Sequence, residues 1–407
     1  MTGDREDAAV GRVLVVDDTE ANRDLLSRRV ARLGHEVREA DDGRRALEMM
    51  RAEPFDVVLL DLMMPGMSGF EVLEQMKASE ELRHLRVIIV SAMEGSEAVT
   101  RCLQLGADDF LPKPFDRNVL AARLASSLAR KQLHDRERLH LRSIERELEI
   151  GRQIQSAFLP RRLPEPAGWE IAALSQPARQ VGGDFYDAFA LPGPDGERIA
   201  VAVGDVCGKG VGAALFMALF RSLLRVTLQG GLGAGEGGAP AAGDGQALLA
   251  AVRATNDYVA RTHGDTHMFA TVFLGLLDPA SGRLRYVNAG HEPPLLLAPG
   301  APPRELAPTG PAVGLMPELP FAVGEAALAP GEVLVVLTDG VGEARDAAGG
   351  LYGEQRLRQL LAEPAASAAG LLRRIESAVG EFAGAAEPAD DLTLLAVRRA
   401  ESSVGSA

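Results

Sequence analysis

Two sets of aspartates stand at the ends of apolar runs, and carboxylates placed that way can gather around a hard cation. In the N-terminal part, RVLVV (12–16) ends on Asp17 and Asp18, and VVLL (57–60) ends on Asp61. RVIIV (86–90) is followed by Ser91, and DFLP (109–112) by Lys113. If these runs are parallel strands, the five residues meet at the carboxyl edge of an open sheet, where such sheets bind ligands. Singly, Asp17 or Asp18 could cap a helix and Lys113 could neutralise an edge acid. Jointly, crowded carboxylates repel one another and require a cation. Three hard oxygen ligands suit Mg²⁺, which keeps waters and tolerates a phosphoryl group.

The second set begins in VAVGDVCGKGVGAAL (201–215). Its glycines around Lys209 suggest a nucleotide-phosphate loop, but the Walker spacing is absent and no Ser or Thr follows the lysine. Asp205 instead has companions: Asp184 in GGDFYDAF (182–189), Asp339 in LTDG (337–340), and Asp390 and Asp391 in ADDLT (389–393). Asp184 and Asp339 taken alone would read as turn residues beside glycine. As a set without His or Cys, these acids favour Mg²⁺ or Mn²⁺ over zinc. A pair of such ions can activate a water in line with a phosphoryl group. Lys209 is read as a solvated loop lysine, and Asn288 and His291 of NAGHEPP as stabilisers of a polar hairpin.

The elements that must position these residues fall into three segments. From about residue 10 to 128, near-continuous apolar runs (12–16, 35–40, 56–60, 86–90 and 109–113) alternate with helical patterns, predicting a doubly wound parallel five-stranded α/β domain. From 129 to 162 the chain is highly charged, with Leu141, Ile144, Leu148, Ile150, Ile154 and Phe158 forming an apolar helical seam. A helix docked on its own domain and a coiled coil both fit that seam. From 163 to 399, strand runs with hairpin turns are interrupted by helical zones near 211–228, 246–263 and 353–382, predicting an α+β layered sandwich. The Gly- and Ala-rich stretch 229–245 is expected to be a mobile loop, and 400–407 a disordered tail.

Composition narrows the function classes. The 407 residues carry a formal charge of −14, with 46% hydrophobic and 25% charged residues. A negative surface argues against nucleic acid as a partner. No apolar run approaches the ~20 residues of a membrane span. The acidic start lacks the pattern of a signal peptide, so a cytoplasmic location is expected. Cys102 and Cys207 give neither disulfide nor zinc spacing.

With Asp17-Asp18, Asp61, Met64-Pro65-Gly66, Ser91 and Lys113-Pro114 in view, residues 10–128 resemble the receiver domain of two-component response regulators. The resemblance implies that Asp61 accepts phosphate from a histidine kinase. Asp18, Asp61 and the Met63 carbonyl would hold Mg²⁺, with Asp17 acting largely through water. Ser91 and Lys113 would grip the phosphoryl oxygens, and Phe110 would be the aromatic that repacks.

The ordered set GGDFYD, GDVCGKG, TDG and DDLT resembles the SpoIIE-like branch of the metal-dependent PPM (PP2C-type) Ser/Thr phosphatases. That resemblance implies two Mn²⁺ or Mg²⁺ ions, with Asp184 and Asp205 shared between them and activating water. The Val206 carbonyl would complete one shell, Asp339 and Asp390 would serve the other ion, and Asp391 is the less certain member. Cys207 stands where the eukaryotic branch has a histidine, so no proton donor is assigned. The implied substrate is a phosphorylated STAS-domain anti-sigma-factor antagonist.

GGDFYDAF also invites comparison with the GGDEF signature of diguanylate cyclases, but Phe185 replaces the acid at its fourth position. The later acidic motifs have no role in such a cyclase, and their intactness argues against a non-catalytic scaffold. The linker seam predicts a homodimer through the helix, with Gly151 as a pliable point.

Overall fold

The computed structural model describes residues 10–92, 96–193, 196–232 and 243–401. They form two compact units, divided after Ile144. In the first, β1 (Arg12–Val16), α1 (Glu20–Ala31), β2 (Glu36–Ala40), α2 (Gly43–Ala52), β3 (Val57–Leu60), α3 (Gly69–Ala78), β4 (Arg86–Ser91), α4 (Ser96–Gln104) and β5 (Asp109–Pro112) alternate regularly. All strand pairs are parallel, in the order β2-β1-β3-β4-β5. The four residues of β3 are buried on both faces, which is why the run lacks any polar alternation. Leu14, Val58, Leu60 and Ile89 pack to one side, and Val13, Val15, Leu59 and Ile88 to the other. Helix starts are fixed locally: Ser68 and Glu71 form a reciprocal capping box at α3, and the Asp42 carboxylate accepts from the Arg45 N–H at α2.

Helix α5 (Arg117–Phe158) runs 42 residues without a break. Its first turns bury Leu120, Leu124 and Leu128 against the first unit's sheet. Farther along, Leu133, Leu139, Leu141, Ile144, Ile150, Ile154 and Phe158 are exposed. Gly151 does not interrupt the helix. A Cβ there would lie 3.7 Å from Val181 Cγ1, so the position faces a loop of the second unit.

The second unit has two five-stranded antiparallel sheets. β6 (Trp169–Gln176), β7 (Phe185–Gly193), β8 (Gly196–Val206), α6 (Val211–Leu232), α7 (Asp244–Thr262), β9 (Ala270–Leu277), β10 (Arg283–Ala289), β11 (Leu295–Leu297), β12 (Arg304–Glu305), β13 (Gly324–Ala327), β14 (Val333–Leu337), α8 (Gly353–Leu361), α9 (Ala368–Ala383) and β15 (Leu392–Arg399) follow in order. One sheet runs β13-β10-β9-β8-β7, the other β12-β11-β14-β15-β6. The two-residue period sorts side chains into layers. Ile199, Val201 and Val203 of β8 meet Leu334, Val336, Leu395 and Val397 between the sheets. Ala200 and Ala202 face the other way, onto Met217, Phe220 and Leu224 of α6 and Val252 and Val259 of α7. On the far side, Val335, Leu337 and Leu394 pack on Leu371, Leu372 and Ile375 of α9. The result is a helix–sheet–sheet–helix sandwich.

Four sequence expectations change. The segment 229–245 is not loop throughout: α6 continues to Leu232, whose side chain is buried, and α7 begins at Asp244, while 233–242 lie outside the described residues. Tertiary packing outweighs the cost of Gly230 and Gly231. The zone 353–382 is two helices, separated around Pro364. NAGHEPP does not close a hairpin, because β10 and β11 belong to different sheets and the segment carries the chain between them. Finally, α6 is long and apolar enough by length and composition to cross a membrane. Here its Ala213, Met217, Phe220 and Leu224 are core residues, and its Arg221 and Arg225 both pair with the buried Asp187 of β7. The expected tail beyond 401 lies outside the described residues.

Candidate active sites

In the first unit, β1, β3, β4 and β5 bring their ends together as the pattern requires. Asp17, Asp18 and Asp61 place one ligand oxygen each within 4.8 Å of one another, the single such cluster among the described residues. Lys113 Nζ lies 2.6 Å from Asp17 Oδ2 and 3.3 Å from Asp61 Oδ2. The Leu62 N–H donates to Asp61 Oδ1 at 2.9 Å, and the Thr19 N–H to Asp17 Oδ1 at 3.0 Å. Burial pushes the Asp61 carboxyl above its ordinary range, opposed by the Lys113 ammonium. Ser91 is buried at the end of β4, and its carbonyl accepts from the Lys113 N–H at 2.8 Å. Phe110 points into the core beneath this edge, whereas Met63 is exposed in the loop after Asp61. The all-oxygen donor set, with one exposed carboxylate at its mouth, fits Mg²⁺.

In the second unit, both sheets contribute acids to one place. Asp184 precedes β7 and Asp205 is the penultimate residue of β8, while Asp339 follows β14 and Asp390 precedes β15. Their proximity registers in their proton affinities. Burial, then the Asp205 charge, push Asp184 far above the ordinary carboxylate range. Burial, then Asp390, raise Asp205. Asp339 is raised to about 6 by burial, with Asp205, Asp390, Glu343 and Glu292 adding to it. Carboxylates so disposed need positive charge to ionise fully, and oxygen-only donors fit Mg²⁺ or Mn²⁺.

The expected ligands do not all play like parts. Asp391 is turned away into a loop: its Oδ1 accepts from the Ala178 N–H at 2.7 Å, and its Oδ2 from the Gly183 N–H at 2.7 Å. It clamps the segment that delivers Asp184. Gly182 permits this approach, since a Cβ there would sit 2.3 Å from Asp391 Oδ2. The Val206 carbonyl lies close to Gly183, whose Cβ would approach it to 2.7 Å. Lys209, expected to be solvated, lies 2.8 Å from Asp390 Oδ2. His291 is buried; burial lowers its imidazole pKa to about 4, so it is neutral. Its Nδ1 shares a 2.9 Å hydrogen bond with Thr271 Oγ1, and the His291 backbone N–H donates to Asn288 Oδ1.

Sequence reasoning missed four participants. Thr338 Oγ1 donates to Asp184 Oδ2 at 2.7 Å and accepts from the Thr393 N–H at 3.0 Å. Gln155, near the end of α5, bonds both backbone groups of Gly182. Glu292 and Glu343 add charge around Asp339. Thr338 could have been found as a polar residue inside an otherwise apolar strand end, immediately before the Asp-Gly pair.

Comparison with known families decides what this architecture is. The model of Stage II sporulation protein E (SpoIIE) matches residues 195–400, just over half of the 407-residue chain. The chain belongs to the SpoIIE family. The response regulator receiver domain matches residues 13–125, so this SpoIIE member joins a receiver domain to a SpoIIE domain. Asp184 lies upstream of the matched SpoIIE span. IcfG of Synechocystis sp. is 45% identical over 266 residues, covering 62% of this chain and 41% of IcfG. PleD of Caulobacter vibrioides is 44% identical over 115 residues, covering 28% of this chain and 25% of PleD. The chain thus spans less than half the length of either curated relative. The SiaA PP2C domain of Pseudomonas aeruginosa superposes with a TM-score of 0.50 at 24% identity, covering 64% of this chain and 98% of that domain, which shows a common fold.

Proposed function

We propose that the SpoIIE domain is a metal-dependent phosphoserine/phosphothreonine phosphatase controlled by phosphorylation of Asp61. The observation carrying the phosphatase reading is the meeting of Asp184, Asp205, Asp339 and Asp390 from two sheets, with Asp339 raised to about 6 by burial and neighbouring acids. Bound Mn²⁺ or Mg²⁺ would supply the Lewis acidity that makes water a nucleophile towards a phosphoryl group. Asp184 and Asp205 would hold both ions, the Val206 carbonyl would add a ligand, and Asp339 and Asp390 would complete the second set. Thr338 fixes one oxygen of Asp184. Asp391 keeps the 178–184 loop in place.

In the receiver, Asp61 would take the phosphoryl group from a histidine kinase, with Asp17, Asp18, Asp61 and the Met63 carbonyl around Mg²⁺. Lys113, already bonded to Asp17 and Asp61, would follow the transferred oxygens together with Ser91, and Phe110 would repack. The substrate class, a phosphorylated STAS-domain anti-sigma-factor antagonist, is supported by membership of the SpoIIE family. Pairing of two chains through the exposed α5 seam would carry the signal.

The test is phosphate release from a phosphorylated STAS protein in Mn²⁺, with and without acetyl phosphate. Release that requires Mn²⁺ and changes on phosphorylation supports the proposal. Release that persists in chelator overturns the metal reading.

A further inference from the structure

We infer that Lys209 is a built-in competitor of the divalent ion at Asp390, a residue that sets how tightly the second ion binds. The inference rests on the metal-dependent reading above. Lys209 Nζ lies 2.8 Å from Asp390 Oδ2 and 2.6 Å from the Ala389 carbonyl, so the ammonium ties the loop after β8 to the loop before β15. The other oxygen of Asp390 is also engaged, accepting the Asp391 N–H at 2.9 Å. Asp390 is therefore satisfied without an ion, and a cation approaching Oδ2 meets an ammonium already there.

The placement is built by the backbone rather than left to a wandering side chain. Gly208 and Gly210, on either side, have φ of +88° and +82°, a conformation other residues adopt only with strain. The turn they make presents Lys209 and starts α6 at Val211. An ammonium is a compact point charge on a flexible stem and can swing aside. Occupation of Oδ2 by a divalent ion releases Lys209, and the loop preceding α6 loses its tie to Ala389 at the same moment. Ion binding and the position of the glycine loop are thereby linked.

The experiment is Mn²⁺ titration of the full chain by calorimetry and by Mn²⁺ electron paramagnetic resonance, for wild type, Lys209→Gln, Lys209→Arg and Asp390→Asn. The Mn²⁺ whose affinity Asp390→Asn lowers binds to Lys209→Gln about three- to fivefold more tightly than to wild type, the size of one partly exposed ion pair. Lys209→Arg stays near wild type. In the Asp390→Asn background the Lys209→Gln effect disappears, because the lysine acts through that carboxylate. The thermal midpoint gained on adding Mn²⁺ is likewise larger for Lys209→Gln than for wild type. Unchanged or weaker Mn²⁺ binding in Lys209→Gln overturns the inference while leaving the metal reading intact. An equal gain in the Asp390→Asn background overturns it too, showing only a general charge effect. Failure of wild type to bind Mn²⁺ overturns the metal reading, and this inference with it.

Discussion

Gln155 holds both sides of the Gly182 peptide: its Oε1 accepts the Gly182 N–H at 3.1 Å, and its Nε2 donates to the Gly182 carbonyl. Gly182 lies two residues before Asp184, so a helix side chain grips the strand entry that delivers this candidate ligand. Each such bond contributes about 1 kcal/mol. Gln155→Ala is expected to lower phosphate release about tenfold and to blunt its response to acetyl phosphate, with an unchanged circular dichroism spectrum. Wild-type rates and response in the variant would remove Gln155 from the pathway.

Asp205→Ala should abolish Mn²⁺-dependent release while the protein stays folded, since crowding makes this carboxylate a burden in the absence of ions. Thr338→Val should lower the rate about ten- to a hundredfold, as expected for removal of a hydrogen bond that orients a metal-binding group. Stopped release assays beside thermal melts in chelator check both. A folded Asp205→Ala protein with full activity is the outcome that defeats the assignment.

His291 gives a pH signature. Its pKa is lowered to about 4 in the fold, so the unfolded chain binds this proton first as pH falls. The stability contributed by the neutral buried imidazole is complete above the unfolded value near 6.5 and is lost progressively as pH falls from there to about 4. Urea titrations across pH 7 to 4 should show wild type losing stability faster than His291→Gln. Parallel curves would contradict the assignment.

Acetyl phosphate or a cognate kinase should label wild type, and Asp61→Asn should take no label. Lys113→Ala should still fold, because losing the ammonium leaves acids that Mg²⁺ can neutralise, but its response to labelling should fail. Acid-stable label persisting in Asp61→Asn would indicate different chemistry.

Leu141→Lys with Leu148→Lys places charge on the seam of α5, where Leu141 is exposed and Leu148 half-buried. Light scattering should report a monomer, and phosphate release should no longer respond to phosphorylation. A dimer, or a monomer with a normal response, rules out coupling through paired helices.

The receiver edge was legible because a parallel sheet puts the residue after each strand in one crevice. Asp17, Asp61 and Lys113 could therefore be brought together from strand ends alone. The acids of the SpoIIE domain were legible as a set, but their division of labour was not. Asp391 and Asp390 are neighbours of the same type, and only the 2.7 Å bonds from Ala178 and Gly183 separate a loop clamp from a candidate ligand. Gln155 lies 27 positions from Gly182, and nothing local in QIQSAF marks which glutamine will reach a distant peptide. NAGHEPP has the composition of a hairpin turn, while its crossing between sheets depends on which strands β11 finds.

Asp184 and Asp205 hang from one sheet, Asp339 and Asp390 from the other, and β15 sits between β14 and β6. A chain still emerging from the ribosome can complete the first sheet and yet hold only half of the acids. No fragment of the sandwich that stops before residue 390 and the strand after it can bring all four acids together.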